Sequence, residues 1–521
     1  MMGRHLHFNH LPDSILLHIL NFLPCWELAI AAQVSKRWQR VSYDGALWRV
    51  LELESKNEDN IKEIITKRSC SLLTQLNLIK CSLTPEFMVT LTGICTQMKE
   101  LTLQKCFFTR QKRRFRLHIL KKLRRLDARL LRGNVSFVLR LLRCTPNLEI
   151  LAVDETIGSD WNGRILQKMS QIRLLDLCRC VEVTDEDVEI IAHNCPRLES
   201  LLLTKCFKIR GYSLPVLLCN CKMLKTLSLA YTRVTDDCLR ECSWKNSSLT
   251  EIDFSSCYFI SSRGLDTLFS NQTDLKYMNL SNCSEHSAVT PRILSDMVRF
   301  KSLEVLNVDD GFVTSAENEE LICKIAQNCP NISCLVVGVT LKTASCLERC
   351  IRCLTELTRF GISYYPGHDN IQMMYSYRQE VPPNGFGLDM ILNNLATYCH
   401  KLEALQLSGY QDRECETITN AFVHLLRNCR NLSRICSFGG NTDILVMAAD
   451  AEMQTSRQDV RLIKPTMLFP TPRSVTPPPS LCFDRVVYNK ENSTIDDPWR
   501  GPFVCEVQRN RRFWLDDTYA G

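Results

Sequence analysis

The sequence has no run of about 18 uncharged apolar residues, the length a helix needs to cross a bilayer, so no membrane span is expected. Met1–His10 has neither an apolar core segment nor a small-residue cleavage site, so it does not read as a secretory signal. The phosphate-cradling GxxxxGK(S/T), the zinc-protease HExxH and the nucleophile elbow GxSxG are missing. The ten histidines have no paired carboxylates at any motif spacing. The one CxxC, Cys350–Cys353, has no second pair at finger-like spacing and does not read as zinc. No catalytic residue, cofactor or metal is therefore expected, and the chain reads as a non-enzyme.

Cysteine, by contrast, is abundant: 28 among 521 residues. A chain read as lacking a secretory signal is expected in the cytoplasm or nucleus, where thiols stay reduced, so disulfides are not the explanation. Hydrophobic content of 45% and charge of 23% are those of a folded soluble protein. The length exceeds one ordinary core, which calls for several domains or a repeat array.

A repeat is present. The pattern LxxLxLxxC occurs at Leu73–Cys81, with close copies at Met98–Cys106, Ile172–Cys180, Leu198–Cys206, Leu249–Cys257 and Leu275–Cys283. Weaker copies start at Leu123, Leu148, Leu224, Leu303, Ile332, Leu357, Leu402 and Leu432, making fourteen starts. Most spacings are 24 to 29 residues, and the gap from Leu357 to Leu402 carries an insertion near 363–387. Each unit predicts a short strand whose apolar residues face inward, followed by a helical return such as Asp185–Asn194. One unit cannot bury its apolar face alone, so stacking is required. At about 4.8 Å between parallel strands, fourteen give an inner arc on the order of 65 Å, long enough to wrap a protein.

Six cysteines stand eight residues after a start (Cys81, Cys106, Cys180, Cys206, Cys257, Cys283). Seven stand three before one (Cys70, Cys95, Cys195, Cys221, Cys329, Cys399, Cys429). Two in-phase ladders of this kind read as small apolar fillers with a weak S–H donor. These units resemble the cysteine-containing class of leucine-rich repeat over roughly residues 60 to 450, down to the Thr184–Asp185 and Thr235–Asp236 continuations. Thr232, Gly311 and Tyr365 replace the cysteine and suggest irregular coils there. The fold class that the resemblance implies is α/β: a horseshoe solenoid with parallel inner strands and outer helices, assigned to 60–456.

The stretch before the repeats has a different rhythm. Leu11–Pro12 precedes a helical stripe of Ile15, Leu16, Ile19, Leu20 and Leu23, closed by Pro24. Val34, Trp38 and Val41 form a second stripe, and Leu47, Trp48 and Leu51 a third. Three short helices over 8–53 make a thin core that a partner would complete. The sequence resembles an F-box, in family order, through Leu11, Pro12, Ile15, Leu16, Ile19, Leu23, Val34, Trp38 and Trp48. Ser14 and Ser35 depart from the common Glu and Cys. The resemblance implies docking of these nine residues onto a Skp-family linker subunit, and through it a cullin and a RING subunit. The chain would then be the substrate-recognition subunit of such a ubiquitin ligase. Two alternatives stay open: a helical cap for the solenoid, and a repeat scaffold that works outside any ligase.

Residues 107–143 hold thirteen Lys or Arg and one acid, a local +12 against +7 overall, so the remainder sums to −5. A solvated face, an import or nucleic-acid patch, and a site for an acidic or phosphorylated target are the competing readings; nucleic acid is not expected as a partner. Arg125 and Arg129 take outward places on their repeat, as do Asp176, Glu251, Asp253, Tyr277, Asp309 and Arg359, and all are candidate target contacts. Tyr364, Tyr365, Tyr375 and Tyr377 make the insertion a candidate contact loop. The segment 457–521 turns Pro-rich and then aromatic, and part of Leu481–Trp514 is expected to fold back onto the solenoid.

Overall fold

A computed structural model describes residues 11–438 and 461–463, apart from 24, 70–71, 110–115, 134–135, 156–162, 282, 284–288, 309–315, 340–343, 365–386, 409–415 and 433. The expected contacts of Asp309, Tyr365, Tyr375 and Tyr377, and the expected return of Leu481–Trp514, lie outside these residues. The chain divides into two compact units: residues 1–208 with 220–223, and 209–219 with 224–521.

The first unit opens on three short helices, Asp13–Leu20, Cys25–Ala31 and Lys36–Ser42. Pro12 sits at the first N-cap, where its missing N–H breaks no intrahelical bond. Leu16 and Leu20, four residues apart on one face, are fully buried. The Ser35 hydroxyl caps the third helix by accepting the Trp38 N–H at 3.2 Å. Asp13 ties the first helix to the third, accepting from Arg37 Nε at 2.8 Å and from Arg40 Nη2 at 2.5 Å. The Arg37 hydrogen bond, more than any other contact, holds the Asp13 carboxyl below its ordinary value.

The third expected stripe is not a helix. A 3-10 turn at Gly45–Trp48 buries Trp48, whose indole N–H donates to the Ser42 carbonyl at 2.8 Å. Val50–Glu54 then runs as a strand, because Leu51 and Leu53 alternate with exposed Val50, Glu52 and Glu54. This strand pairs in parallel with Gln75–Ile79, Leu51 opposite Leu76, so the repeat sheet begins at Val50, ten residues ahead of residue 60, with the helix Glu58–Ile64 lying between the two strands. Parallel strands follow at Glu100–Gln104, Arg125–Asp127, Ile150–Ala152, Leu174–Asp176 and Ser200–Leu202. A second small parallel sheet joins Ser82–Leu83, Phe107–Phe108 and Arg132–Gly133.

The second unit repeats the plan from Thr226–Ser228 through Glu251–Asp253, Tyr277–Asn279, Val305–Val308, Cys334–Val339, Arg359–Tyr364, Ala404–Ser408 and Arg434–Phe438. A strand thus stands at each of the fourteen repeat starts. One more, Arg461–Ile463, pairs with Arg434–Cys436, so the sheet extends past residue 456. The chain is therefore α/β, a helical N-terminal domain followed by leucine-rich-repeat coils with parallel strands on one side and helices on the other.

The cysteines behave as the spacing implies. In the first ladder five of the six thiols donate to a carbonyl one coil back: Cys81 to Leu53 at 3.4 Å, Cys106 to Leu78 at 3.2 Å and Cys206 to Leu177 at 3.1 Å. Cys257 donates to Leu229 at 2.9 Å and Cys283 to Phe254 at 3.0 Å. The second ladder does the same, Cys221 donating to Cys195 at 3.5 Å and Cys429 to Cys399 at 3.3 Å. Burial pushes the Cys195, Cys206 and Cys257 thiols up to about 12. Thr232 does not make its coil irregular: it is buried, donates to the Leu229 carbonyl at 2.6 Å and lies 3.7 Å from the Cys257 sulfur. Gly311 lies outside the described residues.

The residue before the cysteine place forms a third ladder, and among the described residues no glycine marks it. Ser55, Lys80, Lys105, Leu130, Arg179, Lys205, Tyr231 and Ser256 all have φ between 53° and 69°. This left-handed kink turns the chain out of the strand, and its N–H donates to the next coil, as Lys80 does to Gln104 at 3.0 Å and Arg179 to Thr204 at 2.7 Å.

Candidate functional site

Among the described residues, two surfaces carry interaction chemistry. The first is the N-terminal helical domain. Its own core takes Leu16, Leu20, Leu28, Val41 and Trp48, so Leu16 and Trp48 face inward rather than toward a partner. Leu11, Leu23 and Trp38 are half-buried, and Pro12 is exposed. Ile15, Ile19 and Val34 stand in solvent, and two residues the motif reading passed over join them: Phe22, 75% exposed, and Ile30, 57% exposed. Their signal was available, since Phe22 and Ile30 lie off the stripe that closes the domain's own core. Asp13, Arg37 and Arg40 satisfy one another beside this patch. Exposed aliphatic and aromatic side chains on so small a domain are unusual for a surface left to water.

The second surface is the outward face of the strands. In the first unit it is polar. Arg125 pairs with Glu100 on the adjoining strand at 3.1 Å and keeps solvent access. Arg129 does not: its guanidinium donates to both Asp127 oxygens at 3.0 and 2.9 Å and to Asp176 at 3.2 Å, with its side chain 14% exposed. The two carboxylates push Arg129 up against the opposing cost of its burial, so it stays cationic, while burial raises the Asp127 carboxyl against the pull of Arg129. Asp176 is buried in the same clamp. Both residues are thus internally satisfied. Asp154, on the next coil, accepts the N–H of left-handed Leu130 at 2.6 Å.

In the second unit Glu251 is buried and accepts from the Thr226 hydroxyl at 3.0 Å. Asp253 is half-buried and caps its own turn through the Ser255 N–H at 2.9 Å. Tyr277 joins Val305, Cys334, Val336 and Ala404 in one buried apolar cluster. Arg359 stands between Cys334 and Ala404 in register and is half-buried. Tyr364 ends its strand. The structure therefore brings Arg129 to Asp176 and Tyr277 to an apolar neighbourhood, and leaves Arg125, Asp253 and Arg359 with solvent access.

The F-box-like family profile matches residues 8–54. F-box/LRR-repeat protein 21 of Ovis aries is 22% identical over 402 residues, 69% of this chain and 84% of its own length. The Bos taurus protein of the same name is 22% identical over 387 residues, covering 68% and 83%. A chain from the crystal structure of the Rad7 and Elc1 complex in yeast overlays with a TM-score of 0.39 and 17% identity, covering 66% of this chain and 80% of that one. A short helical domain that matches the F-box-like profile thus stands ahead of parallel repeat coils, which places the chain among repeat proteins with a helical head. The chain thus carries an F-box-like segment at residues 8–54 and is similar along most of its length to F-box/LRR-repeat proteins.

Proposed function

We propose that the chain is the target-recognition subunit of a Skp–cullin–F-box ubiquitin ligase, itself without catalytic chemistry. The observation that carries this is the apolar patch of Ile15, Ile19, Phe22, Ile30 and Val34, exposed to water on a domain whose core lies elsewhere. An exposed set of aliphatic and aromatic side chains suits an apolar groove on a Skp-family linker subunit, which would bring a cullin and its RING subunit. The repeat coils then hold a protein target through outward residues that keep solvent access, Arg125 on the first unit and Asp253 and Arg359 on the second.

The test is co-expression of the full chain with a Skp-family subunit and a cullin. The wild type should co-purify with both, and Phe22→Glu with Ile30→Glu should lose both while keeping its helical circular dichroism, because neither side chain supports the core. Failure of the wild type to recruit the linker subunit would instead favour a repeat scaffold acting outside a ligase. Affinity purification under proteasome inhibition then identifies the target, since ligase targets are otherwise degraded.

A further inference from the structure

Cys323 and Cys350 depart from the thiol ladders. Ladder cysteines donate to backbone carbonyls of the preceding coil even where two of them meet, as Cys81 and Cys106 do, whereas Cys350, off the ladders, donates its S–H to another sulfur, Cys323, at 2.8 Å. The two are 27 residues apart, one repeat, on the consecutive helices Ala316–Asn328 and Ala344–Cys353. Cys323 in turn donates to the Cys346 carbonyl at 2.7 Å, which fixes its sulfur toward the second helix. Arg349 stands alongside, donating to the Cys346 sulfur at 3.6 Å and pairing with Glu320 on the first helix. A guanidinium beside a thiol pair favours thiolate formation there.

We infer that Cys323 and Cys350 form a reversible dithiol–disulfide site whose oxidant is a small-molecule disulfide of the glutathione type. The chemistry balances in two exchanges. One cysteine, having given up its proton to solvent, attacks the small disulfide, forming a mixed disulfide and releasing one small thiolate. The second cysteine, also deprotonated, attacks the protein sulfur of that mixed disulfide and releases the other small thiolate. The protein loses two electrons and two protons, and the oxidant becomes two thiols. Both sulfurs are buried, so exchange follows a local parting of the two helices and is slow beside reaction at exposed Cys219. The hydrogen bond from Cys350 pushes the Cys323 thiol below its ordinary value, with Arg349 acting in the same direction, and makes Cys323 the first attacker.

The cross-link would close a loop holding the strand Cys334–Val339, whose Val336 packs against Gly361 of the next strand. Oxidation thereby staples two coils on the helical side and restricts the inner-face strands they carry. In a reducing compartment such a bond would be transient rather than structural.

The experiment uses the full-length protein, fully reduced, then incubated in oxidised and reduced glutathione, acid-quenched, alkylated and digested without reductant. A peptide pair joined through Cys323 and Cys350, lighter than the sum by two hydrogens and released by dithiothreitol, is expected. The unfolding midpoint should rise by several degrees on oxidation. Cys350→Ala should abolish the pair and Cys346→Ser should leave it. Absence of the pair in wild-type protein under conditions that convert Cys219 to its mixed disulfide would overturn the inference, and so would a bond to Cys346 or Cys353 in its place. The wild-type peptide map decides the matter even where a variant fails to fold.

Discussion

Arg129 reaches Asp176 over an intervening strand. Asp127, Ala152 and Asp176 are level on three consecutive strands, and the guanidinium spans from the first to the third. Parallel strands two apart are separated by roughly 10 Å, so the span is feasible only because the middle residue is a methyl group. The clamp places a cation between two carboxylates on a face where both would otherwise repel, and removes that cation from any target.

Arg129→Met should accordingly destabilise the first unit by about 3–5 kcal/mol, the usual effect of leaving a buried charge without its partner. Ala152→Leu should have a smaller effect in the same direction by filling the passage. Urea unfolding of the full chain measures both. A loss below about 1 kcal/mol for Arg129→Met would show that the clamp contributes only surface-pair energy.

Arg125 provides the contrast. Its exposed pair with Glu100 is worth about 1 kcal/mol or less, so Arg125→Glu should leave folding nearly unchanged. Capture of an acidic target, if Arg125 serves it, should fall by tenfold or more, read by quantitative pull-down once a target is in hand. Joint reversal of Arg125 and Arg129 would mix that effect with unfolding, so the single substitution is the informative one.

Gly264 is demanded by close approach rather than by backbone angle. A Cβ there would lie 2.4 Å from Asp236 Oδ1 and 2.9 Å from the Asp236 Cα. That carboxylate is held in place by the Ser261 N–H at 2.7 Å and the Ser261 hydroxyl at 2.5 Å, so it cannot swing away cheaply. Gly264→Ala should lower stability by about 1–3 kcal/mol through overpacking. A melting curve that matches wild type would refute the crowding argument.

Ser55 offers the opposite change. Its φ of 53° is left-handed, its side chain is exposed, and its N–H donates to the Ile79 carbonyl at 2.9 Å. Glycine relieves about 1–2 kcal/mol of left-handed strain and gives back about 0.5–1 kcal/mol in unfolded-state entropy. Ser55→Gly should therefore stabilise by about 0.5–1 kcal/mol, seen as a higher urea midpoint with an unchanged slope. A lower midpoint would mean the hydroxyl contributes more than the backbone strain costs.

The strands and thiol ladders were legible because each repeat carries its own local signal: an apolar 1-4-6 pattern and a cysteine in phase. The clamp was not, because Asp127 and Asp176 meet Arg129 only after two strands of register are set, and register is a property of neighbouring coils. Val50–Glu54 was obscured by Leu47, Trp48 and Leu51, which imitate a helical stripe although Leu51 and Leu53 alternate as a strand does. The left-handed ladder, at the eight places where the described residues show it, carries no glycine and so left no mark in the sequence there. At the F-box, apolar residues were readable, but which of them close the core and which face solvent follows from how three helices pack. Leu16, which the motif assigns to a partner, closes the domain's own core, and Phe22, which the motif passes over, stands in solvent.

The buried thiols make alkaline pH a probe of the repeat. Cys195, Cys206, Cys257 and Cys399 are each pushed up to about 12 by burial, whereas a cysteine in an unfolded chain titrates near 8.5. Between those limits the folded state holds protons that the unfolded state has released. Each thiol's contribution is thus complete below about pH 8.5 and is lost as pH rises toward 12, at about 1.4 kcal/mol per pH unit. Lysines and tyrosines titrate in the same range, so the informative measurement is a difference. Cys257→Ala, unfolded in urea with reductant present at pH 8, 9 and 10, should show a stability slope shallower than wild type by about 1.4 kcal/mol per unit above pH 9. Parallel slopes for the two proteins would mean that the Cys257 thiol is not sealed in the fold, and that the S–H donor ladder does not hold the coils together.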